Sequence, residues 1–134
     1  MTAPFQKVVL RFRDGTMEKT TTFRHFSIAH GSIQVVGVDG KVRWVKTAEL
    51  KAVFFVRELD GNPEYREHKD MGPGGPRAGK TVQVTFPDGE ILMGKSINPE
   101  MEGLGFFLFP ADPASNNERV FVVRDAVSDI QVTD

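Results

Sequence analysis

The sequence predicts an all-β protein made of two tandem copies of one small five-stranded unit. Three observations carry that expectation. Short stretches alternate apolar and polar residues at the two-residue period of a half-buried strand: Val8, Leu10 and Phe12 share one face, and so do Val82, Val84 and Phe86. Each stretch runs into an Asp-Gly pair, Asp14-Gly15 or Asp88-Gly89, where the positive φ open to glycine closes a tight hairpin. The chain also matches itself. Val8-Val9-Leu10-Arg11-Phe12-Arg13-Asp14-Gly15 overlies Val82-Gln83-Val84-Thr85-Phe86-Pro87-Asp88-Gly89 at a shift of 74 residues, Val8 to Val82.

The elements follow in order. After the first strand and its turn, 16–23 is rich in β-branched residues and completes the hairpin. A third strand is expected at 31–38, a turn at Asp39-Gly40 and a fourth strand at 42–45. Thr47-Ala48-Glu49 forms one tight helical turn before a fifth strand at 50–56. In the second copy Pro87 cannot donate to a ladder and marks the end of the first strand. The third strand is 105–109, the turn 110–117 is longer, the fourth strand is 120–123 and the fifth is 127–132. At the shift of 74, Gly31 pairs with Gly105, Ile33 with Phe107 and Val35 with Phe109. Beyond the longer turn, Val42 and Val45 pair with Val120 and Val123 at a shift of 78. Phe107 and Phe109 are therefore expected to face the core, leaving Phe106 and Leu108 on the outer side.

Five short, bent strands in about 50 residues are expected to close into a small barrel, because closure removes edges that invite aggregation. The first unit spans 5–57 and the second 80–134. Between them 58–79 reads as a linker or mobile loop, since Gly61-Asn62-Pro63 and Gly72-Pro73-Gly74-Gly75-Pro76 cannot hold a regular element.

The order of strand, Asp-Gly turn, two strands, variable turn, strand, one-turn corner and last strand resembles the Sm-like small barrel. Val123-Arg124-Asp125-Ala126-Val127-Ser128-Asp129-Ile130 is similar to the second Sm motif, in which a short turn joins the last two strands. The resemblance implies the fold and commonly edge-to-edge assembly. The Asp and Asn with which that family binds RNA have no counterpart in Arg24-His25-Phe26-Ser27 or in 98–103. The second copy is also similar to uncharacterised bacterial domains, some attached to signalling modules.

Composition narrows the chemistry. Without cysteine there is no disulfide, thiolate metal site or Cys nucleophile. The net charge of −1 comes from 17 basic and 18 acidic residues mixed along the chain, so no global basic footprint for nucleic acid exists. The start of the chain lacks an apolar signal segment, and no stretch approaches the apolar length of a membrane span. A cytoplasmic location is expected. His25, His30 and His68 lack further ligands at metal-binding spacing. Ser27 and Ser32 lack a nucleophile elbow. Gly74 to Thr81 has the bare spacing of a phosphate loop, but Val82-Gln83-Val84 continues as a strand and supplies no helix N-terminus. No catalytic residue, cofactor or metal is expected.

The individual segments are where partner contacts are expected. Phe106 and Leu108 on the outer strand face need a covering surface. Asp112, Asn116, Asn117 and Arg119 lie in or beside the long turn, and Arg24 and His25 lie in a loop of the first copy. The functional expectation is a non-catalytic interaction or regulatory module that binds a protein or self-associates. One alternative is nucleic-acid binding through Arg11, Arg13, Lys19, Arg24, Lys41, Arg43 and Lys46. The other is a small-molecule sensor with a pocket between the units.

Overall fold

The computed structural model describes residues 5–23, 28–29, 31–37, 39–59, 79–97, 103–112 and 115–133, and every statement of structure below concerns these. The first half supplies β1 (Phe5–Phe12), β2 (Met17–Phe23), β3 (Ile28–Ala29), β4 (Ser32–Val36), β5 (Val42–Lys46) and β6 (Leu50–Val56). The second supplies β7 (Lys80–Thr85), β8 (Ile91–Ser96), β9 (Gly105–Pro110), β10 (Asn117–Val123) and β11 (Asp129–Thr133). The chain is all-β, with antiparallel pairings throughout.

The two Asp-Gly turns are built alike. Gly15 and Gly89 have φ of 93° and 92°. In each, the amide of the Phe that enters the turn (Phe12 or Phe86) donates across it, to the Thr16 or Glu90 carbonyl, at 2.9 Å. The Asp14 carboxylate accepts the Thr16 amide at 2.9 Å, and the Asp88 carboxylate accepts the Glu90 amide at the same distance. Single 3-10 turns, Thr47–Glu49 and Arg124–Ala126, form the two corners.

The strand order within the halves also agrees: β6-β1-β2-β4-β5 in the first and β11-β7-β8-β9-β10 in the second. Closure into two separate barrels does not follow. Among the described residues β5 does not pair with β6, nor β10 with β11. Instead β10 pairs with β6, and the eleven strands form one unclosed sheet. The reason lies in β6. All seven of its residues are buried, so it needs cover on both faces and along its free edge.

The two cores interlock through β6 and β10. Val53 and Phe55 belong to the first core, with Val8, Leu10, Ile33 and Val35. Ala52, Phe54 and Val56 point the other way, into the second core with Val82, Val84, Phe86 and Leu108. Strand β10 returns the exchange: Val120 and Val122 enter the second core, Phe121 and Val123 the first.

The faces of β9 are opposite to the expectation. Phe106 and Leu108 are 5% and 1% exposed within the second core, whereas Phe109 is 38% exposed. Phe107 leans on the first core, its ring 5.3 Å from that of Phe121. Ile33 therefore corresponds to Phe106, and Val35 to Leu108. The corners confirm this register: the Thr47 amide donates to the Gly31 carbonyl, and the Arg124 amide to the Leu104 carbonyl. Likewise Val45 corresponds to Val122 and Trp44 to Phe121. A slip of one residue turns every side chain to the other face. The run Phe106-Phe107-Leu108-Phe109 is apolar at both parities, so alternation could not set its register.

Candidate functional site: two open sheet edges

Most of the residues expected to meet a partner are used inside the chain. Phe106 and Leu108 are core. Asp112 is buried, and its carbonyl accepts the Ser115 amide at 3.1 Å. The Asn116 side chain both accepts from the Glu58 amide at 3.0 Å and donates to the Glu58 carbonyl at 2.9 Å. The Asn117 amide donates to the Ser115 hydroxyl. The long turn thus clamps the chain just after β6, which also explains its extra length relative to Asp39-Gly40. Arg24 and His25 lie outside the described residues, as do His30, His68 and the Gly74–Ala78 part of the phosphate-loop look-alike.

Arg119 belongs to the same joint. Its guanidinium lies 4.3 Å from the Phe55 ring centroid and 4.6 Å from that of Phe107. It also donates to the Gln6 side-chain oxygen at 3.1 Å. Burial pulls the guanidinium pKa down, against the opposing pull of Glu118. A flat, weakly hydrated cation suits a slot between rings, and an ammonium does not. Arg119→Lys is therefore expected to cost about 1–2 kcal/mol in a urea titration.

A second ionic cluster bridges the halves. Phe12 pairs with Leu50 and Arg11 with Ala52, so Lys51 is an extra residue on β6. Such a bulge re-aims its side chain. The Lys51 ammonium, 7% exposed, meets Asp88 at 2.7 Å and Glu90 at 2.5 Å and lies 4.6 Å from the Phe86 ring centroid. Arg11 approaches Glu90 at 3.7 Å. The hydrogen bond from Lys51 holds the Asp88 carboxyl below the ordinary carboxylate range, helped by the Glu90 amide. A carboxylate with a lowered folded pKa stabilises above its unfolded pKa, and that contribution is lost as pH falls through the folded value. Asp88→Asn is therefore expected to flatten the loss of thermal stability below about pH 4. Matched melting curves between pH 6 and 2 check this, and parallel wild-type and variant profiles would refute it.

One cleft between the halves, lined by Arg13, Lys51, Phe86, Pro87, Asp88, Asp125 and Ala126, has a volume of about 130 Å³, and another, lined by Phe5, Gln6, Lys7, Phe55, Val56, Arg57 and Glu118, about 200 Å³. Small-molecule sites usually run to about 300–1,000 Å³. Among the described residues no group of three or more His, Asp or Glu could hold a metal.

Among the described residues the outer edges at β5 and β11 have no strand paired to them. Trp44 on β5 is 53% exposed and Val42 46%, flanked by the exposed Lys41, Arg43 and Lys46. Arg43 pairs with Glu18 on β2. On β11, Ile130 and Val132 are half-buried against the second core, while Asp129, Gln131 and Thr133 are exposed. An unpaired strand offers a row of backbone donors and acceptors to another strand. The signal in the sequence is Val42-Arg43-Trp44: its apolar residues have the parity opposite to Val45, which faces the core.

One family matches the chain, over residues 5–134, described as a family of unknown function, DUF6982. The chain belongs to that family, whose extent takes in both halves and the segment between them. No curated protein and no solved structure matches the chain significantly.

Proposed function

We propose that the chain is a non-catalytic interaction module, a tandem repeat of two Sm-like units, that binds a protein or a second copy of itself by adding a strand at its open sheet edges. The observation that carries this reading is the unclosed sheet with apolar residues on both terminal edges. Strand addition draws affinity from main-chain hydrogen bonds and specificity from alternate side chains. Nucleic-acid binding is less favoured, because Arg11 and Arg43 lie against Glu90 and Glu18. The cysteine-free composition accords with a reducing cytoplasm.

Trp44→Lys and Val132→Lys place a charge on each edge, which natural edge strands use to block pairing. Association, read by sedimentation velocity and by recovery of the tagged chain's complexes, is expected to fall in these variants. It is expected to persist in Lys95→Ala. Equal association in all three would overturn the edge reading.

A further inference from the structure

We propose that the β5 edge of one copy takes the β11 edge of a second copy, head to tail, in the register that β10 and β6 use within the chain. This rests on the reading that the open edges are binding edges, and it names their occupant.

The chain contains the template for such a joint. Setting aside the two-residue β3, β10 is the fourth strand of its half and β6 the fifth of the other, and they pair antiparallel. The fourth strand of the first half (β5) and the fifth of the second (β11) are left open. A contact between two different surfaces of the same molecule is heterologous, so it can repeat from copy to copy.

The register transfers residue by residue. Within the chain Phe121 stands opposite Val53. Trp44 corresponds to Phe121, since Thr47 and Arg124 occupy the same place at the corners. Ile130 corresponds to Val53, since they stand opposite Val84 and Leu10. The same register between copies sets Trp44 opposite Ile130, and Val42 opposite Val132. Arg43 falls opposite Gln131. The two exposed apolar residues of one edge thus meet the two half-buried apolar residues of the other.

The chemistry of the new joint repeats that of the old one. Phe121 crosses from the second half to complete the first core. The flank of the second core at Val127, Ile130 and Val132 is only partly covered. Trp44 from a neighbouring copy would cover it as Phe121 covers its counterpart. Charge agrees: Lys41, Arg43 and Lys46 line one edge, and Asp129 with Asp125 the other. Joining two β5 edges would set cations against cations, whereas β5 to β11 brings Arg43 diagonal to Asp129 on one face of the pair.

The absence of cysteine makes a direct test possible. Trp44→Cys in one preparation and Ile130→Cys in another place thiols at opposed positions, within reach of a disulfide in a paired sheet. Mixed and mildly oxidised, they are expected to give a covalent dimer that reductant reverses. The chain carrying both substitutions is expected to give a ladder beyond the dimer. Val42→Cys with Val132→Cys is the second pair, should the first disturb folding. Trp44→Cys with Gln131→Cys, one residue out of register, is expected to give at least tenfold less product. Sedimentation of the unaltered chain should show species heavier than the monomer, lost on Trp44→Lys. A strictly monomeric chain without cross-links overturns the proposal, and so does efficient dimerisation of Trp44→Cys with itself. If that monomer still binds another protein in a Trp44-dependent way, self-pairing falls and the edge reading stands. If it binds nothing through either edge, both fall.

Discussion

Leu108→Ala is expected to lower the unfolding free energy by about 2–5 kcal/mol, while Phe109→Ala, its neighbour, lowers it by less than about 1 kcal/mol. Leu108 is almost fully buried in the second core, opposite Val120 across the β9–β10 ladder. Truncation there forfeits the transfer energy of the removed atoms and leaves a cavity that the surrounding strands can only partly collapse into. The Phe109 ring is partly in water already, so its loss opens no enclosed volume. Sequence patterning assigns these two positions the other way round, which makes the contrast decisive. Urea titrations followed by circular dichroism measure both, and a larger cost at Phe109 would overturn the register described for β9.

Phe121→Ala is expected to cost about 3–5 kcal/mol and to destabilise both halves together. Its ring belongs to the first core although its strand belongs to the second half. Phe55, Phe107 and Phe121 form a continuous set of ring contacts across the joint, with centroids 5.9 and 5.3 Å apart. With each core drawing side chains from the other half, neither half should melt alone. Unfolding is expected to be one transition, the fluorescence of Trp44 in the first half coinciding with the backbone signal of the whole chain. Because domains are stable by only about 5–15 kcal/mol, the variant should lose a large part of its margin. Two separated transitions in the wild type would show that the cores are independent.

The local elements were legible because local rules decide them. Asp14-Gly15 and Asp88-Gly89 specify hairpins through glycine's positive φ and a carboxylate two residues before the amide it accepts. Val8, Leu10, Val82 and Val84 declare their faces because polar or less buried residues alternate with them. The corner at Thr47–Glu49 is where the sequence puts it, while the matching tails put the second at Asp125-Ala126-Val127, one residue after the observed Arg124–Ala126. The long turn was visible as an insertion, but its task was not. Asn116 caps residues of the first half that are 58 positions away in sequence, and no local pattern encodes that partner.

By itself, the sequence determined the all-β class, the repeated strand plan and the turns that punctuate it. Only the tertiary structure decided that β10 pairs with β6, that the sheet stays open, and that Phe106 and Leu108 turn inward. The physical reason is the same in each case. Period two declares a face only when one side of a strand is dry and the other wet. Leu50–Val56 is buried on both sides, and the apolar residues of β9 occupy both parities. For such strands the register and the neighbour are set by which arrangement buries the most apolar surface. That choice belongs to the assembled cores, and it leaves Trp44 on one edge and Ile130 on the other as the surfaces still to be matched.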